Sequence, residues 1–175
     1  MNVQKTASYV FTKICSAAVL FTVCGFAGWV YETALTSYLW GRYAERGYLH
    51  IPVLPVYGVF AFLLILILKK CRRWFAVFAG GMIVSTALEL VSSYIIEAVI
   101  HQKLWNYSSW DFNFQGRISL YSSLIFGAMS VLLIKAVYPA VRKFRKKTSE
   151  NVVRTIGICC IAVISLDFIY TLTQK

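Results

Sequence analysis

The sequence predicts an all-α, polytopic membrane protein: a transmembrane helix bundle of about five spans, N-terminus cytoplasmic and C-terminus outside. Three observations predict it. The 175 residues are 59% hydrophobic, against roughly 45–50% for ordinary soluble domains. The mean hydropathy is +0.66. The apolar residues also lie in long runs, and a run of about 20 is what a hydrocarbon core of roughly 30 Å requires. Helix is the required conformation, because lipid offers the backbone no hydrogen-bond partner. The length suits a single transmembrane domain over 1–175.

The first span is placed at 14–38. Its apolar stretch continues past Ala27 through Trp29 and Val30 with no clear cleavage pattern, so it reads as a retained span and not as a signal peptide. The second, 53–68, is short; Pro52 and Pro55 rigidify its entry. The third, 74–100, carries Gly80 and Gly81 near its start. The fourth, 118–137, repeats small residues at Ser119, Ser123, Gly127 and Ser130, a pattern that allows helices to approach closely. The fifth is placed at 152–172.

The formal net charge of +11 invites a nucleic-acid reading, which the placement of the charges opposes. With five spans, thirteen of the 18 Lys and Arg residues share the side of the N-terminus, among them Lys69, Lys70, Arg72, Arg73 and the run from Arg142 to Lys147. Basic residues concentrate on the cytoplasmic side, so the charge reads as topology and as contact with anionic lipid. The opposite side is aromatic, with Tyr38, Trp40, Tyr43 and Tyr48 in one loop and Trp105, Tyr107, Trp110, Phe112 and Phe114 in the next. These form an interfacial belt or, alternatively, a lid over a site.

Ionisable residues inside spans are costly, about 2.5–3.5 kcal/mol each on insertion scales, and mark functional sites or structural pairs. Glu32, Glu89, Glu97 and Asp167 qualify. At about 1.5 Å per residue, Glu89 lies roughly 22 Å into its span and Glu97 roughly 12 Å further. Ser85, Glu89, Ser93 and Glu97 recur every fourth residue and share one face, as do Gly28, Glu32 and Thr36. Arg46 and Arg117 are the cations in reach of these stripes. The pattern predicts a polar cavity open to the outside, or else buried ion pairs that fix helix register.

Several chemistries lack their signatures. The five cysteines form no CxxC pair, and neither they nor His50 and His101 have metal-ligand spacing. No metal and no cofactor is expected. No P-loop, GxGxxG or GxSxG occurs, so the chain carries no recognised ATPase or hydrolase motif.

One series of motifs runs through the middle of the chain. Gly28-Trp29-x-x-Glu32 is followed by Arg46-Gly47-Tyr48-Leu49 and by Pro52-x-x-Pro55-Val56-Tyr57-Gly58. Leu88-Glu89, Ser93-Tyr94-x-x-Glu97, Trp105-Asn106-Tyr107-Ser108 and Phe112-Asn113-x-x-Gly116-Arg117 complete the series. This order, from about Gly25 to Gly127, resembles the Putative ABC-transporter type IV family, the CmpB-like bacterial membrane proteins. Two positions depart from the family pattern: Ile51 stands where Gly is usual, and Asn106 where Asp is usual. The resemblance implies that Glu32, Arg46, Glu89, Glu97, Asn113 and Arg117 act together; Asp167 joins them on the strength of its depth alone. It also implies a permease or substrate-capturing subunit in the cell membrane. The expected partners are the lipid bilayer, a separate ATP-binding subunit and further copies of the chain, with no nucleic acid. A membrane enzyme acting on a lipid-linked substrate and a non-catalytic assembly or sensor protein remain the alternatives.

Overall fold

The computed structural model describes residues 3–174. Helix α1 spans Val3–Trp40, α2 Pro55–Leu68 and α3 Trp74–Ile100. A two-residue hairpin, β1 Asn113–Phe114 and β2 Ile118–Ser119, leads into α4 Leu120–Leu132. A π-turn over Leu133–Val137 joins α4 to α5 Tyr138–Lys147, and α6 covers Glu150–Thr173. Four of these stretches are long and apolar enough to cross a membrane: Lys5–Trp40, Trp74–Val99, Leu120–Lys147 and Glu150–Thr173. The apolar α2, at 14 residues, is about 21 Å long and falls short of the hydrocarbon thickness.

The helical class and the order of the spans agree with the sequence; several boundaries move. α1 begins well before Ile14, because no Gly or Pro interrupts the chain until Gly25. The fourth span begins at Leu120, since Ile118 and Ser119 are extended and pair with Phe114 and Asn113. Ser119 then caps the helix: its Oγ accepts the Tyr121 N–H at 3.2 Å, while the Ser122 hydroxyl oxygen accepts the Ser119 N–H at 3.3 Å. At its other end this helix outlasts the expected stop near Val137. Pro139 has no N–H to donate to the fourth residue back. The preceding turn widens instead, with the Tyr138 N–H bonded to Leu133 O, and helix continues to Lys147.

The chain divides into two compact units. One contains the residues up to Ala61 and those from Pro139 onward; the other runs from Phe62 to Tyr138. In the first, α6 packs along α1. Gly157 makes the approach possible, since a Cβ there would meet the Cys15 backbone oxygen at 2.6 Å. Both residues are buried, and Val153 joins them at 1% exposure. One turn further toward the start of α6, Arg154 pairs with Glu150 at 2.7 Å and donates to Thr12 Oγ1 at 2.9 Å and to Ser8 O at 3.2 Å. These bonds fix the register of the two helices.

In the second unit α3 packs on α4. The small residues of α4 provide the contact: Ser122, Ser123, Gly127 and Ser130 are buried. Gly81 lies against Ser130, Phe78 lies over Gly127, and Thr86 donates to Ser123 Oγ at 2.7 Å. The stripe read from the sequence is therefore a helix–helix seam.

Gly157→Val is expected to lower stability by about 1–3 kcal/mol, the usual cost of overpacking, because a backbone atom cannot yield. Thermal unfolding in detergent measures it, with the exposed Cys159→Ala as the neutral control.

Candidate functional site

In the first unit the site is built on the α1 face that carries Gly25, Gly28 and Glu32. Spacings of three and four residues place them on one side of the helix. Tyr57, from the first turn of α2, lies across this face. A Cβ on Gly28 would enter the Tyr57 ring, and the Tyr57 hydroxyl donates to Glu32 Oε1 at 2.7 Å. Glu32 Oε2 faces Arg46 Nε at 3.7 Å, with both side chains partly exposed, Arg46 at 30% and Glu32 at 23%. The connecting loop folds back along the helix to bring Arg46 there: its N–H bonds Thr33 Oγ1 at 3.3 Å, and the Leu54 N–H bonds Gly25 O at 3.0 Å. Pro55 opens α2, where a missing N–H costs nothing.

Asp167 holds the same loop from α6. Its Oδ2 accepts the backbone N–H of His50 at 2.9 Å and that of Ile51 at 3.4 Å. Its Oδ1 lies 3.4 Å from His50 Nδ1, which is also 3.1 Å from Thr171 Oγ1. Asp167 is 11% exposed and the imidazole 57%. At Ile51 the contact uses a backbone N–H, which any residue except proline supplies.

In the second unit the polar stripe of α3 meets the loop between α3 and α4. Glu89, 4% exposed, accepts the Tyr107 hydroxyl on Oε1 at 2.9 Å and lies 3.3 Å from the Ser122 hydroxyl on Oε2. Two turns on, Arg117 pairs with Glu97, donates to Ser93 Oγ at 3.3 Å, and stands 3.9 Å over the Tyr94 ring. A guanidinium over an aromatic face gains cation–π attraction as well as the ion pair. Trp105 secures the same residue from behind by donating its indole N–H to Arg117 O at 3.0 Å. A cleft of about 10 Å³ lies between Ser93, Ile96, Lys103, Leu104, Trp105 and Arg117; that is room for on the order of one water.

The loop that carries Arg117 braces itself. Asn106 Oδ1 accepts the Ser108 N–H at 2.9 Å and the Ser108 hydroxyl at 2.6 Å, an Asx turn. The Tyr107 N–H bonds Gly116 O at 2.8 Å. Asn113 uses both amide atoms internally: Nδ2 donates to Trp110 O at 2.8 Å and Oδ1 accepts the Gly116 N–H at 2.9 Å. Gly116 sits at φ +66, where a Cβ would strike Asn106 Oδ1 at 2.5 Å. The conformation and the contact both require glycine.

The residues singled out in the sequence therefore fall into defined groups. Glu32 meets Arg46, Glu97 meets Arg117, Asp167 meets His50, Glu89 meets Tyr107, and Asn113 serves the loop backbone. His50, Tyr57, Tyr107, Ser122 and Thr171 were not expected at these positions. Tyr57 and Tyr107 stand inside the motifs, but nothing there marks their hydroxyls as partners of carboxylates; His50 and Thr171 carried no signal.

Long apolar helices with intramembrane carboxylates met by arginine and tyrosine define a multi-pass membrane protein. The chain belongs to the Putative ABC-transporter type IV family, which it matches over residues 19–172. The match extends past Gly127, where the motifs end, and so takes in Asp167. Comparisons with curated proteins and with solved structures return no match.

Gly116→Ala is expected to cost about 1–2 kcal/mol for the left-handed backbone and more for the clash, loosening the loop. Limited trypsin digestion would then cut after Arg117 faster than in the parent. Asn106→Asp keeps the acceptor oxygen and is expected to digest like the parent, whereas Asn106→Leu is expected to resemble Gly116→Ala.

Proposed function

We propose that the chain is the membrane subunit of an ABC-type transporter, a permease or substrate-capturing component of the cell membrane that works with a separate ATP-binding subunit. Its N-terminus is cytoplasmic on this reading, as the basic residues favour. The observation that carries it is the asymmetric ion pair at the cleft. Arg117 is held at 11% exposure by Ser93, Tyr94 and Trp105, while its partner Glu97 is 36% exposed. The guanidinium is thus held on several sides and its carboxylate is the more exposed party. An anionic group on a substrate takes the place of Glu97 and meets the same Arg117 Nη2 donor in a charge-assisted hydrogen bond. Lys103 adds a second cation to the cleft. The family supports the transport assignment at the level of its description.

A second reading has its own support. Asn106 and Asn113 bond the loop backbone, as they would in a non-catalytic assembly protein whose charges are structural.

Native mass spectrometry of gently extracted protein separates the two. The transporter reading expects an ATP-binding subunit in the complex, retained in Arg117→Ala. The protein alone, or only copies of itself with bound lipid, would sink it. The structural reading expects Arg117→Ala to lower the melting temperature with no change in bound species.

A further inference from the structure

Helices α2 and α3 are joined by residues 69–73, Lys-Lys-Cys-Arg-Arg. We propose that this turn is a site for the phosphate headgroup of an anionic phospholipid, held at fixed geometry and so distinct from diffuse attraction of basic residues to a charged surface. Such a site requires the membrane fold alone and is independent of the transport reading.

The turn concentrates positive charge that no ion pair among the described residues neutralises. Lys69, Lys70, Arg72 and Arg73 are all exposed, within five consecutive residues. Among the described residues the ion pairs use Arg46, His50, Arg117 and Arg154, and none of these four. No Asp or Glu occurs between Glu45 and Glu89, so the adjoining chain offers no internal counter-charge.

The turn is also rigid. The Lys69 N–H bonds Ile65 O at 3.1 Å and the Cys71 N–H bonds Leu68 O at 2.9 Å, which close the end of α2. Lys135, on the π-turn after α4, donates its ammonium to Cys71 O at 3.0 Å and to Arg72 O at 2.8 Å. A fifth cation is thereby committed to holding two carbonyls of a turn that already carries four. Such a brace is useful where the turn must keep one shape.

Two aromatic residues fix its depth in the bilayer. Trp74 is 66% exposed and Phe75 81% exposed at the very start of α3. Exposed aromatics at the end of an apolar helix sit at the membrane interface, and the four cations immediately before them then lie at the level of the lipid phosphates. Five residues are too few to reach beyond that layer, which favours a lipid over an acidic protein as the partner.

The test uses the full-length protein in vesicles of equal parts phosphatidylcholine and phosphatidylglycerol, followed by detergent extraction and native mass spectrometry of retained lipid. The parent is expected to keep phosphatidylglycerol selectively. Each basic residue near an anionic surface contributes about fivefold to binding, so Lys69→Gln/Lys70→Gln/Arg72→Gln/Arg73→Gln is expected to weaken retention by at least about a hundredfold. The same number of changes on α5, Arg142→Gln/Lys143→Gln/Arg145→Gln/Lys146→Gln, is expected to leave it in place. Lys135→Gln keeps all four turn cations and is expected to weaken retention several-fold, while Lys143→Gln does not. Equal losses from the turn and α5 variants would overturn the proposal, as would equal retention of the two lipids. Loss of a bound acidic protein, and not of lipid, from the turn variant would overturn it too.

Discussion

Hydrocarbon accepts no hydrogen bonds, and most of this chain answers to that constraint. Helices close the backbone on itself, which leaves the polar side chains to find one another. Both compact units do so in a similar way. A carboxylate on a helix stripe takes a tyrosine hydroxyl from a neighbouring segment: Glu32 from Tyr57 and Glu89 from Tyr107. Each unit also carries a carboxylate paired with an arginine from a loop, Glu32 with Arg46 and Glu97 with Arg117. Tyrosine suits the first task because its ring is apolar while its tip is polar. Arginine suits the second because it is charged at any relevant pH and its donors form a planar fork.

These contacts depend on close approach, and the small residues provide it. Gly28 admits the Tyr57 ring, Gly157 admits Cys15, and Gly81 admits Ser130. Helices in lipid gain little from burying apolar area against one another, since the tails are equally apolar. Packing and a few hydrogen bonds must specify the arrangement. A glycine that lets a tyrosine lie flat against a helix does both at once, because it gains contact area and aims the hydroxyl.

The membrane fold is legible in the sequence because its signal is long: apolar runs of span length tolerate errors of several residues at each end. The charge pairs are legible in part, since Glu32 with Arg46 and Glu97 with Arg117 can be anticipated from stripes and the scarcity of intramembrane cations. Their tyrosine partners are not. Tyr107 in its loop reads equally well as an interfacial anchor or as part of a lid, Tyr57 at the start of a span bears no mark of its partner, and only the fold-back of each loop, through Leu54 to Gly25 or Tyr107 to Gly116, decides. Asn113 resembles a ligand because it stands in a motif beside Arg117, yet its amide closes the turn that positions Arg117. The apolar run ends near Val137, just before Pro139, and the π-turn there lets the helix pass.

The packing of α6 on α1 bears on how the chain is made. Within α3 and α4 the bonded partners are close in sequence, Thr86 and Ser123 being 37 residues apart. Arg154 and Ser8 are 146 residues apart. Chains emerge from the ribosome N-terminus first, at about 5–20 residues per second. The hairpin of α3 and α4 can therefore assemble soon after its second helix is synthesised, whereas α1 waits with its Cys15 face, Ser8 and Thr12 uncovered until α6 has been inserted. A helix that enters the bilayer before α3, α4 and α6 is thus completed only when the last of these arrives, and for that interval its seam is open to an insertase, a chaperone or a mismatched neighbour.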